Sequence, residues 1–240
     1  MSSQSEVIIV HSSDLHLGAD SILNDGPSAN LPVLYRVLAA AEQQHAHLII
    51  LAGDVFDHNR QGAQVLEEVA ATMAGSRVPI VILPGNHDPL TVDSVYRRPE
   101  FDAGRKVHVL GLDGDGASSV PELELEVWGR AHTDYLDMQP LPEPPERKTR
   151  WQLAVAHGHY VEEPPDSNRL LGSWLIRPEH LIMTAADYVA LGHWNRAVRV
   201  GDEGVPAYYS GSPSYACTVN VVRLHPDRGV EVSQVPVDEG

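Results

Sequence analysis

Between residues 7 and 83 the chain alternates short apolar, β-branched runs with segments whose apolar residues recur at helical spacing. Residues 7–11 read as a buried strand, 31–44 as a helix with Pro32 in its first turn, and 47–51 as a second strand. Residues 63–74 read as a helix ending at Gly75, and 78–83 as a third strand closed by Pro84 and Gly85. Such a β-α-β-α-β opening leaves few architectures. Its crossovers have helical period, so the strands run parallel in a sheet flanked by helices, and ligand groups sit on loops at the strands' carboxyl ends.

The second half changes character. Residues 107–110, 123–128, 152–156, 188–191, 197–200, 207–209, 218–224 and 229–235 all read as strands, and 123–128 alternates apolar with acidic positions as a half-exposed strand should. Residues 139–145 are proline-dense and read as a surface loop rather than a linker. The sum is an α/β fold of two mixed sheets packed together, with the opening helices on one outer face and few helices later. A single domain spanning residues 1–240 is expected.

Composition narrows the functional classes. The 33 acidic and 17 basic residues give a formal charge of -16, which opposes non-specific attraction to nucleic acid. Cys217 is the only cysteine, so an internal disulfide and a cysteine-based zinc cluster are excluded. Any metal must sit on His, Asp and Asn, and the 13 histidines supply candidates. No apolar run approaches the roughly 18 residues of a membrane span, and residues 1–6 are polar rather than signal-like. A cytoplasmic protein with no membrane partner is the expectation.

Five polar clusters each follow a predicted strand: Asp14-Leu15-His16, Gly53-Asp54-Val55-Phe56-Asp57, Gly85-Asn86-His87-Asp88, His157-Gly158-His159 and Gly192-His193-Trp194-Asn195. Taken singly, each is a turn or a cap. Their joint occurrence in this order argues that the strand ends converge on one place. Carboxylate, imidazole and amide oxygen suit borderline divalent ions such as manganese, iron or zinc, and there are more donors than one ion needs. Two ions sharing a bridging carboxylate can activate water and clamp a phosphoryl group during in-line displacement.

On Asp14-x-His16, Gly53-Asp54-x-x-Asp57, Gly85-Asn86-His87-Asp88, His157 and Gly192-His193, the chain resembles the calcineurin-like metallophosphoesterase superfamily, from Val7 to about Pro213. Three phrases, at residues 12–18, 187–193 and 209–213, are most similar to those of SbcD-type DNA repair exonucleases, although small stand-alone phosphodiesterases share them. The resemblance implies a four-layer α/β/β/α sandwich. It also implies that Asp14 and His16 bind a first metal, that Asp54 bridges, and that Asn86, His157 and His193 complete the second. His87 would be a general acid beside the phosphate, and Asp57 a carboxylate orienting it. The cofactors implied are two divalent ions, manganese first and iron or zinc as alternatives, with a metal-activated hydroxide as nucleophile.

Two departures stand out. The family places a second histidine at the end of its last motif as a ligand of the first metal, and this chain has Asn195, whose amide oxygen is a weaker donor to transition metals. The SbcD-type nucleases also carry further DNA-contacting and ATPase-docking regions, whereas this sequence stops about 27 residues beyond Pro213, so no ATPase partner is expected.

The remaining residues divide between site and scaffold. His159 competes with His157 as ligand, and the strand before His157 favours the latter. His58 and His132 read as exposed loop residues, Cys217 as a small buried one, and Trp194 and Tyr160 as stacking or packing residues. The cluster Arg97, Arg98, Arg105 and Lys106 could track a phosphate backbone. The expected function is hydrolysis of a phosphodiester, with nuclease activity as a sub-hypothesis and DNA bound only weakly. A phosphomonoesterase and a non-catalytic scaffold with a degraded metal site are the alternatives.

Overall fold

The computed structural model describes residues 6–19, 31–114, 116–162, 173–201 and 204–237. All the proposed site residues fall within it, whereas the polar amino-terminal segment lies outside it except for Glu6. The opening contains β1 (Val7–Ser12), α1 (Leu31–Gln43), β2 (Leu48–Ala52), α2 (Ala63–Ala74), β3 (Ile80–Leu83) and β4 (Val107–Val109). β1 to β4 are parallel neighbours, and β13 (Thr218–His225) and β14 (Gly229–Pro236) extend the sheet antiparallel beside β1. β2 and β3 are buried at every position, as expected of parallel strands covered on both faces.

The second sheet runs β11 (Ala197–Val200), β12 (Ala207–Ser210), β10 (Tyr188–Gly192), β7 (Trp151–His157), β6 (Leu125–Gly129) and β5 (Ala117–Val120). Its two faces have different partners. Leu125, Val127, Leu153, Val155, Tyr188 and Ala190 join the first sheet and its helices in one core. Trp128, Ala154, Ala156, Val189, Leu191 and Tyr209 point the other way and pack with Leu181 of α3 (Pro178–Met183), Leu141 and Ile176. This period-two division produces the four layers, of which the last is thin, a six-residue helix helped by the proline-rich segment.

Several elements were not legible in the sequence. The polar strand β5, the short parallel pair β8 (His159–Tyr160) and β9 (Leu175–Ile176), α3 and α4 (Pro213–Ala216) lack a periodic signal. Residues 121–123 form a 3-10 turn closed by Glu124 at φ 48, not the start of a strand. Cys217 is exposed at the left-handed end of α4, which corrects the expectation of a buried thiol. Among the described residues no helix is long and apolar enough to cross a membrane.

Candidate metal centre

Register brings the polar clusters level. Ser12 pairs with Leu51, Ala52 with Leu83, and His157 with Gly192, so β1, β2 and β3 of one sheet end beside β7 and β10 of the other. The loops then bond to each other: Asp14 N–H donates to Gly53 O at 3.0 Å, and His16 N–H to Asp54 O at 3.1 Å. Asp14, His16, Asp54 and His193 all have positive φ, at 55°, 47°, 52° and 107°. L-residues held there store strain, and such positions concentrate at functional sites. A Cβ at Gly85 would overlap the Asp54 carboxylate, so only glycine lets the two loops approach this closely.

Two donor groups share Asp54, and a third, made of His16, Asp57 and His87, overlaps the first at His16. Asp14, His16 and Asp54 present ligand atoms within 4.8 Å of one another, as do Asp54, His157 and His193. Asn86 Oδ1 joins the second group, 3.0 Å from His157 Nε2. Asn195 is exposed and lines a cavity of about 410 Å³ with Asp14, His16 and Asp57, so it sits on the side of the first group. His159 turns elsewhere, with its Nδ1 accepting from Trp194 Nε1 at 2.9 Å. The structure thus brings His157, not His159, to the cluster.

Electrostatics shows what the centre needs. His157 is fully buried, and its Nδ1 meets Ala52 O at 2.8 Å, so that nitrogen carries the proton. Its Nε2 then faces Asn86 Oδ1 at 3.0 Å and Asp54 Oδ2 at 3.1 Å, two acceptors that demand a positive species between them. Burial opposes protonation of His157, but the Asp54 and Asp14 carboxylates outweigh it and raise its pKa to about 9. Burial likewise opposes ionisation of Asp54, and the charge of His157 nevertheless holds its carboxyl below the usual range. Asp14 is pushed up by burial and by Asp54, against the pull of His157. His193 is lowered to about 4 by burial and by the neighbouring His157 charge, which keeps its lone pairs available. A divalent ion taking the place of the His157 proton would meet the neutral imidazole of His193, the carboxylates and the Asn86 amide oxygen, a donor set that fits such cations.

His87 donates its backbone N–H to Asp54 Oδ1 at 2.9 Å, and its Nδ1 lies 2.8 Å from the backbone carbonyl of Asp57. The Asp57 carboxylate is 3.9 Å from His87 Nδ1 but 3.1 Å from His16 Nδ1. Sequence placed the Asp57 carboxylate behind His87; the structure puts it behind His16, and the Asp57 main chain behind His87. Asp88, which the sequence offered only as the capping residue of a tight turn, is fully buried and does bond backbone N–H groups. Its carboxylate accepts from the N–H groups of Val55 (2.9 Å), Phe56 (3.0 Å) and Gly85 (2.7 Å) and from the Tyr96 hydroxyl, tying the second and third clusters together.

Other expectations need correction. His132 is fully buried rather than an exposed loop residue, with its Nε2 2.9 Å from His157 O. His58 is half-buried and accepts from Arg60 N–H. Tyr160 is buried, while Trp194 stacks on Tyr209 with ring centroids 4.3 Å apart, so both take the packing reading. In the basic cluster, Arg98 binds Gln61 O and Glu100, and Lys106 binds Ser76 O. Tyr135 and Trp174, which line a cavity of about 540 Å³ beside His87, carried no motif.

The family model described as calcineurin-like phosphoesterase matches residues 8–197. Among curated proteins, the chain is 27% identical over 274 aligned positions to the SbcD component of the nuclease SbcCD of Bacillus subtilis (strain 168), covering 97% of this chain and 70% of that one. A solved structure superposes with a TM-score of 0.61 at 11% identity, covering 98% of this chain and 100% of the other, which shows a shared fold.

Proposed function

We propose that this chain, which belongs to the calcineurin-like phosphoesterase family, hydrolyses phosphodiesters at a dinuclear centre built on Asp54. Metal-dependent phosphoester hydrolysis is the activity the family implies; the diester preference and the pairing of ions are our reading. The carrying observation is that Asp54 is the carboxylate common to the group of Asp14 and His16 and the group of His157 and His193, as a bridging carboxylate must be. On this reading Asp14, His16 and Asp54, with Asn195 at the edge, would hold one ion, and Asp54, Asn86, His157 and His193 would hold the other. Divalent ions there supply Lewis acidity toward phosphoryl oxygens and lower the pKa of water. Manganese is favoured because oxygen donors, including two asparagine amides, stand beside the imidazoles.

The chain's own groups account for the rest of the chemistry. A water oxygen bonds to phosphorus while the bond to the leaving oxygen breaks with its electron pair. His87 gives that oxygen a proton from Nε2, its Nδ1 being held by Asp57 O, and the proton lost by water balances the exchange. Two cavities, of about 540 and 410 Å³, share Asp57 in their linings and offer room for two substituents on one phosphate. That favours a diester over a monoester. The nuclease named among its relatives supports a nucleotide ester as substrate, while the charge of -16 opposes tight duplex binding.

The test is a panel of mono- and diesters with single-stranded and duplex DNA, run on metal-stripped protein with each divalent ion added back. Diester turnover restored best by manganese is expected. Turnover of monoesters alone would reject the diester preference, and no turnover with any ion would favour the scaffold reading.

A further inference from the structure

The two cavities are chemically different. Asp57 lines both; Asn86, His87, Arg60, Asp93, Tyr135 and Trp174 line the larger one, and Asp14, His16 and Asn195 the smaller. In-line displacement sets the leaving group opposite the attacking oxygen, and a proton donor must stand beside the oxygen that departs. If His87 is that donor, the departing alcohol lies in the larger cavity, whose volume is within the usual range for small-molecule sites.

That cavity has an aromatic wall held by hydrogen bonds. Trp174 Nε1 donates to Leu136 O at 2.9 Å, Trp174 N–H to Asp137 Oδ1 at 2.6 Å, and Leu136 N–H to Asp134 Oδ1 at 2.8 Å. The bonded loop holds Tyr135 outward with 61% of its surface exposed. Trp174 in turn packs edge-on to His132 and His193, with centroids 5.3 and 6.0 Å away, so the wall is coupled to the metal centre. Across the cavity, Arg60 is exposed on the loop after Asp57, whereas nearby Arg98 is committed to Gln61 O and Glu100. A large aromatic ring left open to water and an exposed guanidinium line one cavity beside the proton donor.

We propose that this cavity is the leaving-group subsite, in which Tyr135 stacks on a ring and Arg60 meets an anion, so that the preferred leaving alcohol is a nucleotide. The inference rests on the diesterase reading and adds the selectivity of one side of the site. Each surface residue can be replaced without disturbing the core, so the variants remain folded.

The experiment compares kcat/KM for the dithymidine dinucleotide with a terminal phosphate against that for methanol release from the 3′ and 5′ methyl esters of thymidine phosphate, all with added manganese, so that only the dinucleotide offers a nucleotide as the leaving alcohol. Tyr135→Ala is expected to lower the ratio of dinucleotide to methyl ester roughly tenfold, through KM, and Tyr135→Phe to retain it. Arg60→Ala should lower the same ratio roughly tenfold at low salt, with a smaller effect as salt is raised. Equal loss on all substrates, or an unchanged ratio in Tyr135→Ala, overturns the subsite and leaves the diesterase reading standing. A wild type inert toward all three overturns that reading and the subsite together.

Discussion

His157 sets its Nε2 3.1 Å from Asp54 Oδ2 while its other ring nitrogen is anchored 2.8 Å from the carbonyl of Ala52. The anchor comes from the strand that leads into Asp54, so one segment orients the imidazole and also supplies the carboxylate it faces. Orientation of a ligand histidine through its second nitrogen is the usual way a protein selects the tautomer that binds metal.

The same relationship makes metal-free stability depend on pH. The folded protein holds His157 at about 9, above its ordinary 6.5, so its stabilising contribution is fully present below about pH 6.5 and is lost as pH rises through about 9. Asp54 is depressed, so its contribution falls away only in acid. Metal-stripped protein should therefore lose on the order of 3 kcal/mol between these limits. Added manganese should restore stability most at the upper end, where protons no longer compete with the ion. Thermal melts at stepped pH, with and without chelator, check this; a flat profile for stripped protein would sink it.

His87 and Asp57 should give separable defects. His87→Ala should reduce turnover roughly 100-fold or more with metal content unchanged, because the side chain acts on the leaving oxygen. Asp57→Asn keeps the carbonyl that holds His87 but weakens the partner of His16, so it should raise the manganese concentration for half-maximal activity about tenfold. Metal analysis with manganese titrations distinguishes the two. Metal loss in His87→Ala would show that it is a ligand.

Asn195 offers a neutral amide oxygen on the side of Asp14 and His16. Replacing it with the imidazole that the family carries should increase the metal retained after dialysis and lower the manganese requirement, with the substrate range preserved. If the wild type already retains two ions after dialysis, and Asn195→His gains nothing, some other group completes the first set.

Asp88 touches no proposed ligand atom, yet its carboxylate satisfies three backbone N–H groups and the Tyr96 hydroxyl. Asp88→Ala would leave those donors buried without an acceptor, a loss of roughly 3 kcal/mol, read as a lower melting temperature. The variant should also bind metal less tightly, since Gly85 and Val55 flank Asn86 and Asp54. Unchanged melting would show that water replaces the carboxylate.

Sequence alone determined the parallel opening, the strand-rich second half and the placement of polar clusters at strand ends, because hydrophobic period and turn residues are local properties of the chain. Asp14, His16, Asp54, Asn86 and His193 lie in those clusters, their roles were implied by the family resemblance, and the fold brings them together. The choice between His157 and His159 depended on contacts 105 residues away, at Ala52, and on Trp194 across the second sheet. The partner of the Asp57 carboxylate, the burial of His132 and the aromatic wall at Tyr135 likewise come from segments remote in sequence. Trp174 and Leu136 are 38 residues apart, and no periodicity links them. Such pairs follow from how the two sheets and their loops pack, which sets distances to within an ångström, whereas a sequence pattern sets only which face a residue takes.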